Sequence, residues 1–299
     1  MRDAHRSDAA AIGQVSAAAV PHAVWSSAQV AADLKQDATL GRRRWVGLLD
    51  NAVAGTATAR QVVDRGGERD LFLDVQVRPE QGSQGVGTQL LLAAAGAFPG
   101  ANRLQAVGDD GPISLSFAVR NGFLPDSEQP VARVDPRSVA EADPGACGLR
   151  AVTLEALPDL RMLLETHNLA AVDDPRQARL TMYQLRGEWW DRPDNAPELS
   201  WGLLATGGSG PVLAAFTSVQ VDHERGRAWS RTTATHPDFR GRGLAQWVKR
   251  RTLGSLAQAD VREAWTPIHL DNAPMLAVNE ALGYRVQATS VGLRRRMPR

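Results

Sequence analysis

Thr235-His236-Pro237-Asp238-Phe239-Arg240-Gly241-Arg242-Gly243-Leu244-Ala245-Gln246-Trp247-Val248 is the stretch on which the reading of this chain turns. The β-forming run Ala228–Thr235 stops at Pro237, which has no N–H to give a sheet ladder. Arg240-Gly241-Arg242-Gly243 follows, and apolar residues at Leu244, Trp247, Val248 and Leu256 then recur at helical spacing. Glycines let a backbone turn several N–H groups toward one point, and a helix N-terminus adds partial positive charge there. With two arginines on the same loop, the pattern suits a pyrophosphate. It is not a P-loop, because no Gly-Lys-Ser/Thr follows. Nor is it a dinucleotide fingerprint, since the strands before it form a hairpin and do not open a βαβ unit.

The same pattern occurs earlier as Val77-Arg78-Pro79-Glu80-Gln81-Gly82-Ser83-Gln84-Gly85-Val86-Gly87-Thr88-Gln89-Leu90-Leu91. Three further landmarks repeat in the same order. Trp45–Leu49 is echoed by Trp201–Leu204, the polar turn Asp64–Arg69 by Asp222–Arg227, and Gly122-Phe123 by Gly283-Tyr284. The offsets drift only from 156 to 161 residues, so the chain contains a duplicated domain. The strands Ala52–Val63 and Leu71–Val77 flank the first turn; Val212–Val221 and Ala228–Thr235 flank the second. Leu149–Val152 reads as a short strand, and Leu157–Leu169 carries leucines at helical spacing. The expected class is α/β, with an α+β mixed sheet in each of two tandem domains. The expected bounds are 1–135, a Pro/Gly/Ala-rich linker at 136–148, and 149–299.

Composition excludes several classes. The 299 residues are 43% hydrophobic and 22% charged, and the formal net charge of +1 gives no pull toward nucleic acid. No apolar run reaches the roughly 20 residues of a membrane span, and MRDAH at the start lacks a secretory apolar stretch. The single cysteine, Cys147, fits a reducing compartment and reads as a linker bystander. A cytoplasmic protein is expected, and the Ala/Arg-rich, Lys-poor usage suggests a GC-rich bacterial genome. The basic tail Arg294-Arg295-Arg296 and the run Lys249-Arg250-Arg251 read as solvated. His167, His223, His236 and His269 lack ligand spacing, so no metal is expected.

These motifs resemble the GCN5-related N-acetyltransferase (GNAT) superfamily. The pattern is strand, Val/Thr-x-Pro, a Gly-x-Gly loop, helix, then a Gly-aromatic pair. The tandem layout is similar to that of mycothiol synthase and related two-domain bacterial acetyltransferases. The resemblance implies two acyl-CoA N-acyltransferase domains, with acetyl-CoA as co-substrate and direct transfer of the acyl group to a small-molecule amine. In the second half it assigns coenzyme contacts to Thr235, Arg240, Gly241, Arg242, Gly243, Leu244, Ala245, Asn272 and Asn279. In the first half it assigns Val77, Gln84, Gly85, Val86, Gly87 and Thr88. A bulge is expected to splay the strand before each loop.

The chain also departs from the family. Many members carry, four residues before the Gly-aromatic pair, a tyrosine that protonates the departing thiolate. Asn279 and Ala118 stand at that position, so the catalytic residues are not assigned. Asn279 could hydrogen-bond the sulfur. No carboxylate lies in Trp229–Thr235, and Asp74 is the nearest substitute in the first half. The first half also has Gly82 for Arg240 and Gly111 for Asn272, so the second half is expected to be the better coenzyme binder. Both missing tyrosines suggest two alternatives: a non-catalytic CoA-binding or sensing protein, or O-acylation or decarboxylation on the same fold. Glu188-Trp189-Trp190-Asp191 reads either as packing or as an aromatic, acidic wall for a cationic amine.

Overall fold

The computed structural model describes residues 1–297 except 38, 40, 64–68, 141–148, 174–178 and 208–209. Most of the first polar turn, the end of the expected linker and Cys147 therefore lie outside the described residues. The chain forms two compact units, residues 1–131 with 287–299 and residues 132–286.

In the first unit the order is β1 (Arg2–Asp3), α1 (Ala9–Ala19), α2 (Ser27–Gln36), β2 (Arg42–Leu49), β3 (Ala52–Val63), β4 (Arg69–Val77), α3 (Val86–Gly96), β5 (Arg103–Asp109) and α4 (Pro112–Arg120). β6 (Leu124–Val134) then leaves it. The antiparallel hairpins β2–β3 and β3–β4 alternate sides as their sequence does: Leu71, Leu73, Val75 and Val77 pack under Leu90 and Leu91 of α3. β5 then runs parallel to β4. Ile12 of α1 and Val30 of α2 cover Val46 on the other face.

The second unit repeats the plan with β7 (Arg150–Thr153), α5 (Leu160–Ala170), α6 (Met182–Leu185) and a π-helical turn at Arg186–Trp190. β8 (Trp201–Gly207), β9 (Gly210–Asp222), β10 (Arg227–Thr235), α7 (Leu244–Gln258), β11 (Glu263–Pro267) and α8 (Ala273–Ala281) complete it. Trp247 is buried in the core, as its helical spacing predicts. Trp201 is only partly buried, with its Nε1–H 2.8 Å from Ser255 Oγ.

The compact units cut the chain differently from the repeats at 1–135 and 149–299. β12 (Arg285–Arg296) ends the second repeat in sequence, but it pairs antiparallel with β5 of the first unit from Ser290↔Asp109 to Arg296↔Arg103. Its Val291 and Leu293 enter the first unit's core. Conversely, Ala132 and Val134 at the end of β6 are buried in the second unit's core, and Arg133 pairs with Glu263 at 2.9 Å. The basic tail is therefore a strand and not a free terminus. Alternation puts Leu293 inward, Arg294 pairs with Asp126 at 2.7 Å, and Arg295 donates to the Asn121 carbonyl.

Candidate functional site

The two loops have nearly the same backbone. Each begins with a short 3-10 turn, Pro79–Gln81 or Pro237–Phe239, followed by extended Gly82 or Arg240 with ψ of 161° in both. Two left-handed residues separated by one follow: Ser83 and Gly85 with φ of 63° and 82°, and Gly241 and Gly243 with φ of 74° and 73°. Such alternation turns successive N–H groups to one side, making an anion nest. Intrahelical bonding starts only at Gln89 N→Gly85 O and Trp247 N→Gly243 O. The amides of Val86, Gly87 and Thr88, and of Leu244, Ala245 and Gln246, therefore have no partner within their helices. Both loops fit a pyrophosphate by backbone alone.

Side chains separate them. Arg240 and Arg242 are exposed beside the second nest, where Arg242 stacks over Phe239 with its guanidinium carbon 5.1 Å from the ring centroid. At the matching first-unit positions are Gly82 and exposed Gln84. Asn272 caps α8, its side chain accepting from Met275 N at 3.2 Å. The matching Gly111 has no side chain, and Asp109 Oδ1 accepts from its N–H at 2.7 Å.

The strand before each loop has a free edge. β10 is laddered to β11 only from Arg227 to Trp229, so among the described residues Ser230–Thr235 leave that edge open. On its other edge Thr235 pairs with Ala215. β4 parts from β5 after Leu73 in the same way, with Val77 paired to Gly55 on the other side. The expected bulge is present in only one copy. The β9–β10 register slips between Ser230 and Thr232, leaving Arg231 unmatched, whereas β3–β4 runs in register to Val77. Thr217 Oγ1 secures the slip, 3.2 Å from the Thr232 carbonyl and 2.6 Å from Thr233 Oγ1.

Behind the free edge of β10, the sequence reading of Lys249 as solvated is overturned. Its helix face packs on the sheet, and the side chain is only 3% exposed. Lys249 Nζ donates to Asn279 Oδ1 at 2.8 Å and lies 4.9 Å from the Tyr284 ring centroid. No carboxylate acts on it, and burial alone lowers its pKa to about 7. The Tyr284 hydroxyl is pushed up by the same burial. A recess of about 10 Å³, room for roughly one water, is lined by Thr217, Ser230, Lys249, Thr252 and Tyr284 among others. Asn279 is itself buried, and its carbonyl oxygen is committed to Lys249. Sequence reasoning missed this pair. The signal available was a lysine at the position that Leu91 fills in the first copy.

In the first unit, the corresponding region is apolar: Leu91 and Ala118 are buried in the core. On that unit's opposite face Asp74 accepts from Gln76 Nε2 at 3.0 Å. Burial raises its pKa, against smaller opposing effects of Arg44 and the Gln76 bond. In the second unit, Trp189 is buried and packs on Phe216 at 6.0 Å, Trp190 is partly buried and Glu188 is exposed.

A hairpin sheet with an open strand edge beside a backbone anion nest, built twice, defines a tandem GNAT-type fold. Residues 15–123 match the Acetyltransferase (GNAT) family. This is a tandem GNAT-fold protein, and acyl transfer is the chemistry of the family it matches. A tandem GNAT protein from the clavulanic acid biosynthesis pathway has the same fold, at 20% identity and a TM-score of 0.72, with 100% of this chain and 98% of that one covered. A GCN5-related N-acetyltransferase from Sphaerobacter thermophilus matches at 20% identity and TM-score 0.58, covering 99% and 94%. One from Kribbella flavida matches at 16% and 0.56, covering 91% and 96%. Among curated proteins none matches the chain in sequence. No described helix is long and apolar enough to cross a membrane.

Proposed function

We propose that the second unit transfers an acyl group, acetyl in the first instance, from acyl-CoA to the amine of a small molecule in a bacterial cytoplasm. The observation that carries this is the alignment of three features in one unit: an arginine-flanked nest, an open strand edge and a buried lysine. The nest at 240–243 would hold the pyrophosphate, and the free edge from Thr235 back to Ser230 would pair with the pantetheine amides. Ser230 lines the recess that Lys249 also lines. Lys249 lies six residues into the helix from Gly243, or about 9 Å along its axis.

The coenzyme supplies a thioester; the chain supplies position and protons. An N–C bond forms and the C–S bond breaks, so the amine gives up one proton and the thiolate takes one up. Where the family's tyrosine is absent, Lys249 beside Asn279 is an acid that titrates near neutrality. Asp74 favours a second reading, with turnover in the first unit, because it is a partly buried carboxylate on the strand before that loop.

The test is thiol release by the full chain from acetyl-CoA over a library of small amines. Arg240→Ala with Arg242→Ala should raise the KM for acetyl-CoA at least 10-fold. If these changes leave turnover intact while Gly85→Ala abolishes it, the first unit is the working one. Tight coenzyme binding without thiol release from any amine would favour a sensing role.

A further inference from the structure

Arg231 occupies the bulge of β10, on the face that carries α5 and the Arg186–Trp190 turn. Its guanidinium carbon lies 5.6 Å from the Trp189 ring centroid, and the residue is partly buried. Among the described residues no hydrogen bond or ion pair closes on it. The neighbouring carboxylate, Asp194, is already bound to Arg192 at 2.9 and 3.0 Å and to Gln220 Nε2 at 3.0 Å. Burial and the Arg192 charge both weigh against the cation, opposed by the smaller effects of Asp194 and Glu188. A guanidinium carries five donors in a rigid fork that matches a carboxylate with two parallel hydrogen bonds.

Two more buried polar atoms on this face lack partners, Trp189 Nε1 and Ser218 Oγ. Ser218 pairs with Thr232 across the bulge and alternates with Thr217, so it shares a face with Phe216, on which Trp189 packs. A buried donor left unmet loses the hydrogen bond it makes to water in the unfolded chain. The cluster is therefore short of acceptors. Exposed Glu188 is the remaining carboxylate that acts on Arg231.

We propose that the second unit binds a carboxylate at Arg231, with Trp189 Nε1–H and Ser218 Oγ–H as supporting donors, so that its acceptor is an amine that also bears a carboxylate. The amine half of this statement rests on the acyl-transfer function proposed above; the carboxylate half does not. Such an acceptor would reach the open edge of β10 from the face opposite α7, its ammonium toward Glu188 and its carboxylate in the guanidinium fork. An amino-acid-type molecule is the chemical class that fits.

The experiment pairs each L-α-amino acid, β-alanine and 4-aminobutyrate with its own primary amide, using acetyl-CoA and thiol release by the full chain. At least one acid should exceed its amide 10-fold or more in kcat/KM. Amine basicity does not produce that preference, because amides have the less basic, more often neutral amine. Arg231→Gln should bring the acid down to the level of its amide, chiefly through KM. Arg231→Lys, which keeps the charge and loses the fork, should recover part of it, and this controls for misfolding. In parallel, tryptophan emission is titrated with the same acids without coenzyme. If no amine is acetylated but an acid shifts the emission in the wild type and not in Arg231→Gln, the carboxylate site stands and acyl transfer to an amine fails. If acids and amides react equally, or no acid either reacts or shifts the emission, Arg231 merely stacks on Trp189 and the proposal is overturned.

Discussion

Leu91 and Ala118 in the first copy occupy the positions of Lys249 and Asn279 in the second, so the duplication provides an internal control for a buried polar pair. The fold is built without that pair once, and a buried ammonium costs stability wherever no carboxylate receives it. The double change Lys249→Leu with Asn279→Ala should therefore stabilise the chain, by about 1–4 kcal/mol if the site packs as Leu91 does. Thermal and urea melts measure this. The folded pKa of Lys249, about 7, lies below its unfolded value of 10.5, so between these the unfolded chain holds a proton that the folded chain has released. Wild-type stability should thus gain a rising contribution from pH 7 to pH 10.5, and the double variant should lack it. The same variant should slow turnover and remove any pH–rate limb near 7. An unaltered pH–rate profile would exclude Lys249 as the acid. At the loop, Arg240→Ala leaves the left-handed glycines in place and should weaken coenzyme binding about 10-fold, roughly 1.4 kcal/mol by calorimetry. Gly243→Ala should add strain of about 1–2 kcal/mol, because a Cβ is forced to φ of 73°.

At the level of elements, β4 and β10 show how one strand design diverges. Both open an edge toward the following loop, but only β10 carries the slip that leaves Arg231 unmatched. β4 instead carries Asp74 on its α1/α2 side, opposite Leu73 and Val75. Because burial raises this carboxyl's pKa, its charged form is disfavoured on folding. The stability lost to it is absent at low pH and grows as pH rises from the ordinary carboxylate value through the folded one. Asp74→Asn should therefore hold or raise the melting temperature at pH 7. If instead the variant abolishes turnover that Arg240→Ala spares, the first unit is the active one.

For the molecule as a whole, the last strand of the second repeat completes the sheet and core of the first unit. Removing residues 287–299 takes Val291 and Leu293 from that core and exposes β5 as an edge. The truncated chain should lose protection of residues 69–109 in hydrogen exchange and aggregate. A fragment of residues 1–131 should become soluble and folded only when 287–299 are supplied with it. Native-like melting of 1–131 alone would contradict this assignment.

Glycine spacing, Pro79 and Pro237, and the strand-turn-strand alternation determined from sequence that the chain has two mixed-sheet domains with a glycine-rich loop before a helix in each, because these are local constraints on φ, hydrogen bonding and side-chain period. The family match falls on 15–123, the half whose loop lacks arginine. Tertiary structure alone decided the rest. A helical period places Lys249 on a face, but only the packed sheet and α8 show that the face is buried. Nothing in Arg294-Arg295-Arg296 names β5 as a partner, because strand pairing over more than 180 residues is set by which edge remains open. Arg231 looks like any strand arginine until the slip in register and the commitment of Asp194 to Arg192 leave its guanidinium without an anion.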